Sequence, residues 1–117
     1  MHAVIRTYSG NGAKELFDLL DRRKSDVDGL MRSIEGFESY FLIGTAEGGT
    51  SVTVCRDKAG TDESVQRAKQ WIATNAKHIR AAAPVVSEGR VIVQLNAKEV
   101  PQTQAALFEK LQRPIRR

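Results

Sequence analysis

Apolar positions change their period several times along this 117-residue chain, and each change marks an element. Residues 2–8, His-Ala-Val-Ile-Arg-Thr-Tyr, mix β-branched and aromatic side chains with polar ones and predict a short strand. Ser9-Gly10-Asn11-Gly12 follows as a turn cluster that also offers helix N-cap groups. From Ala13 the spacing becomes helical: Leu16, Phe17, Leu20, Val27, Leu30, Met31 and Ile34. That stretch predicts one long helix, or two helices broken near Ser25. Gly36 then stands where a glycine lets the backbone reverse after a helix.

The second half repeats the scheme with a hairpin in front. Residues 37–45, Phe-Glu-Ser-Tyr-Phe-Leu-Ile-Gly-Thr, and residues 50–56, Thr-Ser-Val-Thr-Val-Cys-Arg, are β-rich runs joined by Ala46-Glu47-Gly48-Gly49. A short connection holding a glycine pair predicts an antiparallel hairpin. Thr61 or Asp62 is the expected cap of the next helix, whose stripe is Val65, Ala68, Ile72, Ala76 and Ile79 and which ends before Pro84. Residues 85–95 predict the last strand, with Glu88-Gly89 as a bulge. The order is β-α-β-β-α-β. It implies an α+β, ferredoxin-like domain over residues 1–95: a four-stranded antiparallel sheet with two helices on one face.

Such a sheet is about 19 Å wide and has two faces, and the helices cover one. Neither set of alternating strand residues is polar enough to be the wet one. Phe37, Phe41, Ile43, Val52, Val54, Val91, Val93 and Leu95 form one set; Tyr40, Leu42, Thr53, Cys55 and Ile92 form the other, mixed with Glu38, Arg90 and Gln94. A bare face of that kind predicts a homodimer closed through the sheets. The rival use of such a face, stacking nucleic-acid bases, needs aromatics inside Lys- or Arg-rich strands. Residues 50–57 hold nothing of that kind.

Composition narrows the class. With 41% hydrophobic and 27% charged residues, the chain has a globular balance, and its apolar runs are far too short for a membrane span. The charged opening lacks a signal peptide's apolar stretch, so the expectation is a soluble, cytoplasmic protein without membrane contact. The net charge is +4, but Lys98, Lys110, Arg113, Arg116 and Arg117 against Glu99 and Glu109 put three of those charges into residues 96–117. The basic character therefore belongs to a tail, in which Ala105, Leu107, Phe108, Leu111 and Ile115 have helical spacing. Elsewhere acids and bases interleave, against a nucleic-acid partner. One cysteine and two scattered histidines imply no disulfide and no metal site. Phosphate-cradling loops and nucleophile elbows are missing as well.

Several stretches resemble one known group. Ile34-Glu35-Gly36-Phe37-Glu38-Ser39-Tyr40, the run from Gly48 to Asp57, Ala59-Gly60-Thr61-Asp62-Glu63-Ser64, and Trp71 are similar to the antibiotic biosynthesis monooxygenase-like proteins, and especially to their small uncharacterised members. The resemblance spans residues 1–95. It implies a dimeric α+β barrel in which two sheets face each other, with a pocket between sheet and helices in each subunit. It also implies oxidation of a small aromatic or quinol-like molecule by O₂ with no added cofactor. A haem-degrading branch of the group uses an Asn on the first strand with a Trp and a His further on. Here Trp71 and His78 are present, but the first strand, Ile5-Arg6-Thr7-Tyr8, has no Asn, and the Trp–His spacing is shorter.

The candidate catalytic residues are Tyr40, Trp71 and His78. On one continuous helix, Trp71 and His78 lie about 20° apart, lining a pocket with an indole and a proton-shuttling imidazole. Equally, Trp71 can be a packing anchor and His78 a helix-end cation. Tyr40 can hold a phenolic ligand or sit at the rim of the dimer contact. Arg6 and Tyr8 share one strand face, where they can bind an anionic group or form an edge contact. Cys55 reads as a buried thiol, and His2 as a frayed terminus. Two functions remain open: a cofactor-free oxygenase-like enzyme, and a non-catalytic dimeric barrel that binds a small molecule or serves as an accessory subunit.

Overall fold

The computed structural model describes residues 1–97; the basic tail, expected to be either a short docking helix or disordered, lies almost wholly outside the described residues. The elements are β1 (His2–Tyr8), α1 (Ala13–Arg22), α2 (Lys24–Arg32), β2 (Phe37–Thr45), β3 (Gly48–Cys55), α3 (Lys58–Asn75) and β4 (Val85–Arg90). One antiparallel sheet runs β2-β3-β1-β4, the ferredoxin-like order, with the helices on one face.

The first helical stretch is two helices, broken at Arg23, whose φ of −108° and ψ of 30° leave the helical region. At its start Gly12 takes φ +76°, and a Cβ there would stand 2.8 Å from the backbone of Ala81, so glycine is required. The helix needs no side-chain cap there. Ala82 N–H donates to Asn11 O at 2.9 Å, tying the segment after α3 to this turn.

Several expected boundaries move. Asp57, rather than Thr61 or Asp62, caps α3, accepting from Gly60 N–H at 3.2 Å. Thr61 lies buried in the first turn, donating to Lys58 O at 3.0 Å. The helix stops at Asn75, so Ala76 and Ile79 are buried by the turn that follows it. The hairpin turn is tighter than expected, since Gly48 and Gly49 already belong to β3. β4 ends at Arg90 because its partner β1 begins at His2, which pairs with it.

The bulge is also elsewhere. Glu88 and Gly89 pair regularly with Val4 and Ala3, whereas the register shifts between Phe37 and Ser39 in β2. One extra residue flips what precedes it to the other face. Phe37 therefore packs against the core, while Phe41 and Ile43 stay on the open side.

The core is built by Leu16, Phe17, Leu19 and Leu20 of α1, Val27 and Met31 of α2, and Ile34, closed against Tyr8 and Cys55. The sheet residues that meet the helices are the polar set: Arg6, Tyr8, Tyr40, Ser51 and Thr53 beside Val4 and Leu42. The bare face carries Ile5, Phe41, Ile43, Val52 and Val54. Tyr40 thus belongs under the helices, not on the bare face where a rim contact would place it. No helix among the described residues is long and apolar enough to cross a membrane.

Candidate active site

The pocket arises where a cross-strand row on the covered face contains a small residue. Leu42, Ser51, Arg6 and Val86 stand opposite one another across four strands. Ser51 fills little of its place opposite Arg6, and Tyr40 and Tyr8 stand in the rows on either side. Gly49 is opposite Tyr8, and a Cβ there would come within 2.2 Å of the Phe17 ring. That missing side chain lets α1 seat Phe17 beside Tyr8, with ring centroids 5.6 Å apart.

The resulting cavity is about 30 Å³ in volume. Its floor is Arg6, Tyr8, Tyr40, Leu42 and Ser51; its roof is Leu20, Val27, Leu30 and Met31, with Trp71 and Ile72 of α3 at the side. A space of that size holds about one water, so a larger ligand needs its walls to part. Two outer clefts mark where. One of about 330 Å³ lies beside α2 and shares Val27, Met31, Tyr40 and Leu42 with the cavity. Another of about 440 Å³ lies on the far side of Leu30 and Trp71. Between them stands α2, nine residues long with only Val27 and Met31 fully buried, a lightly anchored wall. Arg23 closes the corner: its guanidinium stacks 5.3 Å from the Trp71 ring and its Nε donates to Asp26 at 2.9 Å.

The electrostatics are those of one cation in an apolar box. Arg6 is 6% exposed, donates to the Tyr8 hydroxyl, and lies 5.3 Å from the Tyr8 ring centroid. Its Nε has no hydrogen-bond partner among the described residues. Burial pushes the Tyr40 phenol up to about 12, with the Arg6 charge and a hydrogen bond with Ser51 pulling the other way. Burial also raises Tyr8, again opposed by Arg6. Both phenols keep their protons at neutral pH. Each therefore has a proton to offer a ligand and neither is a base.

Of the sequence candidates, the structure brings Tyr40 and Trp71 to one cavity. His78 lies outside it, exposed on the turn beyond α3, because the helix that would have aligned it with Trp71 ends at Asn75. Asn75 Nδ2 donates to Trp71 O at 3.0 Å in that last turn. Arg6 and Tyr8 meet inside the pocket instead of at an edge. Ser51 went unnoticed; its signal was the run Ser51, Thr53, Cys55, which alternates small polar groups onto the covered face. Cys55 is fully buried, and burial first, then Asp57, Glu38 and Glu63, raises its thiol. His2 is not frayed: Nδ1 lies 2.9 Å from Thr61 Oγ1 and Nε2 lies 3.5 Å from Glu88.

No family model matches the chain, and no curated protein matches it in sequence. Solved structures do match it. One is a protein of unknown function, NE2512, from Nitrosomonas europaea, with 16% identity, a TM-score of 0.60, and coverage of 83% of this chain and 94% of that one. Another is the monooxygenase from the gene ActVA-Orf6 of Streptomyces coelicolor in complex with the ligand nanaomycin D. It shows 12% identity, a TM-score of 0.54, and coverage of 83% of this chain and 91% of that one. These structures share the chain's ferredoxin-like α+β fold. At these identities the likeness speaks for architecture, and activity has to be argued from the pocket.

Proposed function

We propose that the protein is a cofactor-free oxygenase of a small aromatic, quinol-type molecule, bound under the helices. The observation that carries this reading is the pocket itself, an apolar box floored by Tyr40 and Arg6 and walled by Trp71. Its phenols are donors, so the reactive electrons come from the ligand. A ring CH₂ flanked by phenols loses a proton to solvent water, and the carbanion gives its electrons to O₂. The carbon gains C=O, and the second oxygen leaves as water. Trp71 holds the ring plane and Tyr40 hydrogen-bonds a ring oxygen, so their share is orientation and charge stabilisation.

A homodimer belongs to the same proposal. Phe41 and Ile43 are 59% and 48% exposed on the bare face, beside Ile5, and a second copy of that face is the simplest cover. Ile92, Val93 and Leu95 are also exposed, just past β4, and add apolar surface for the same contact.

The lack of a neutral-pH base among the pocket residues favours a second reading, a dimeric barrel that binds its ligand without turning it over. Oxygen consumption separates the two. With hydroxylated polycyclic aromatics and quinols, the enzyme reading expects uptake that falls about tenfold or more in Trp71→Ala and Tyr40→Phe. Saturable binding with no uptake across the panel rejects the enzyme reading and leaves the binding one.

A further inference from the structure

Arg6 projects from a strand flanked on both sides, deep under the helices, and forms no ion pair among the described residues. A guanidinium stays charged in proteins, and a buried charge is ordinarily held by an opposite charge or a full set of hydrogen bonds. Among the described residues Arg6 has neither. Its Nε is the one buried side-chain nitrogen or oxygen there without a hydrogen-bond partner. Three acids share a cleft with Arg6 between α3 and β4, and each is already paired with a Lys or Arg. Glu63 pairs with Arg67 at 2.6 Å, Asp62 with Lys58 at 2.9 Å, and Glu88 with Lys58 at 3.3 Å. A phenol oxygen and a ring face from Tyr8 soften the charge but do not balance it.

We infer that Arg6 is the receptor for an oxyanion: the ligand of this pocket is a flat aromatic molecule that is a monoanion when bound, its carboxylate or phenolate seated on the guanidinium. The inference rests on the pocket being the ligand site and adds the ligand's charge. The guanidinium is a planar fork suited to such a group, and the Nε edge of the fork is the edge left open. Ser51 stands directly across from Arg6, and its hydroxyl and that of Tyr40 supply further donors to the same oxygen. The remaining walls are hydrocarbon, so these few groups set orientation and selectivity. A phenol bound here loses its proton more readily than in water. The proton goes to solvent, as the pocket offers no base.

The test uses three probes with one ring system: 2-naphthoate, 2-naphthol and 2-naphthamide, titrated calorimetrically into the full chain at neutral pH. The expected result is naphthoate binding about tenfold or more tighter than the isosteric amide. Arg6→Met should erase that preference, keep amide affinity, and melt no lower than the parent, since it removes an unbalanced buried charge. Should Arg6→Met fail to fold, Arg6→Lys decides: a reduced but surviving preference for the anion supports the receptor, and no preference overturns it. Equal affinity for naphthoate and naphthamide in the parent, no saturable binding of any probe, or a preference untouched in a folded Arg6→Met protein also overturns it. The naphthol arm locates the charge. A naphtholate absorption band in the bound state puts it on the ring oxygen, while selectivity for naphthoate alone makes it a carboxylate. Anion-selective binding without oxygen uptake would leave this inference standing and remove the oxygenase. Uptake indifferent to Arg6→Met would do the reverse.

Discussion

The side of the sheet that meets the helices carries Arg6, Tyr8, Tyr40, Ser51 and Thr53, while the side that meets none of the described elements carries Ile5, Phe41, Ile43, Val52 and Val54. Polarity is inverted relative to a simple two-layer protein, in which the covered face is the oily one. Buried polar groups and exposed apolar patches are the informative exceptions to the rule of apolar interiors, and here they sit on opposite sides of the same strands. The covered face carries buried polar groups where packing would favour hydrocarbon, and the bare face carries apolar groups where solvation would favour polar ones.

The largest effect should come from charging the bare face. Phe41→Glu with Ile43→Glu buries two unpaired carboxylates in a sheet-to-sheet contact, and association should weaken by about a hundredfold or more. Sedimentation would show a monomer at micromolar concentration with its helical signal intact. A parent chain that is already monomeric there would break this half of the comparison. On the covered face, Gly49→Val drives a side chain into Phe17 and should cost about 1–3 kcal/mol, or about 5–20 °C in Tm. Its counterpart Gly44→Ala, with nothing within 4 Å of the new Cβ, should change the melting temperature far less.

The pocket phenols give a smaller, pH-dependent effect. The folded pKa of Tyr40 is about 12 against an ordinary 10.0, so its contribution to stability is complete below pH 10 and is lost as pH rises toward 12. Tyr8 shifts in the same direction. Urea midpoints should fall across that window, and Tyr40→Phe should flatten the fall. An unchanged slope would mean the phenol is wet. The smallest effect is one of reactivity. Cys55, fully buried with a raised thiol, should resist a disulfide reagent until the protein unfolds. A cysteine introduced by Ile43→Cys should react at once in dilute solution and be protected as concentration rises.

The strand and helix order was legible because period and punctuation agreed, from the turn before Ala13 to the glycine at Gly36. What stayed illegible was which alternating set the helices would choose. The bulge at Glu38 was hidden because nothing in Phe37-Glu38-Ser39 differs from a regular strand, and it moved Phe37 across the sheet. The site was half legible. Tyr40 and Trp71 stood out as residue types, and Arg6 with Tyr8 as a shared face. Their meeting depended on Ser51 and Gly49 being too small to fill the floor. His78 misled because the stripe continues in sequence through Ala76 and Ile79 after the helix has stopped.

Trp71 is the chain's one tryptophan and a wall of the cavity, so its fluorescence reports on the site directly. Titration with 2-naphthoate should quench it saturably in the parent chain and with much weaker affinity in Arg6→Met. Calorimetric binding of naphthoate that leaves the Trp71 emission unchanged would place the ligand elsewhere and contradict the account.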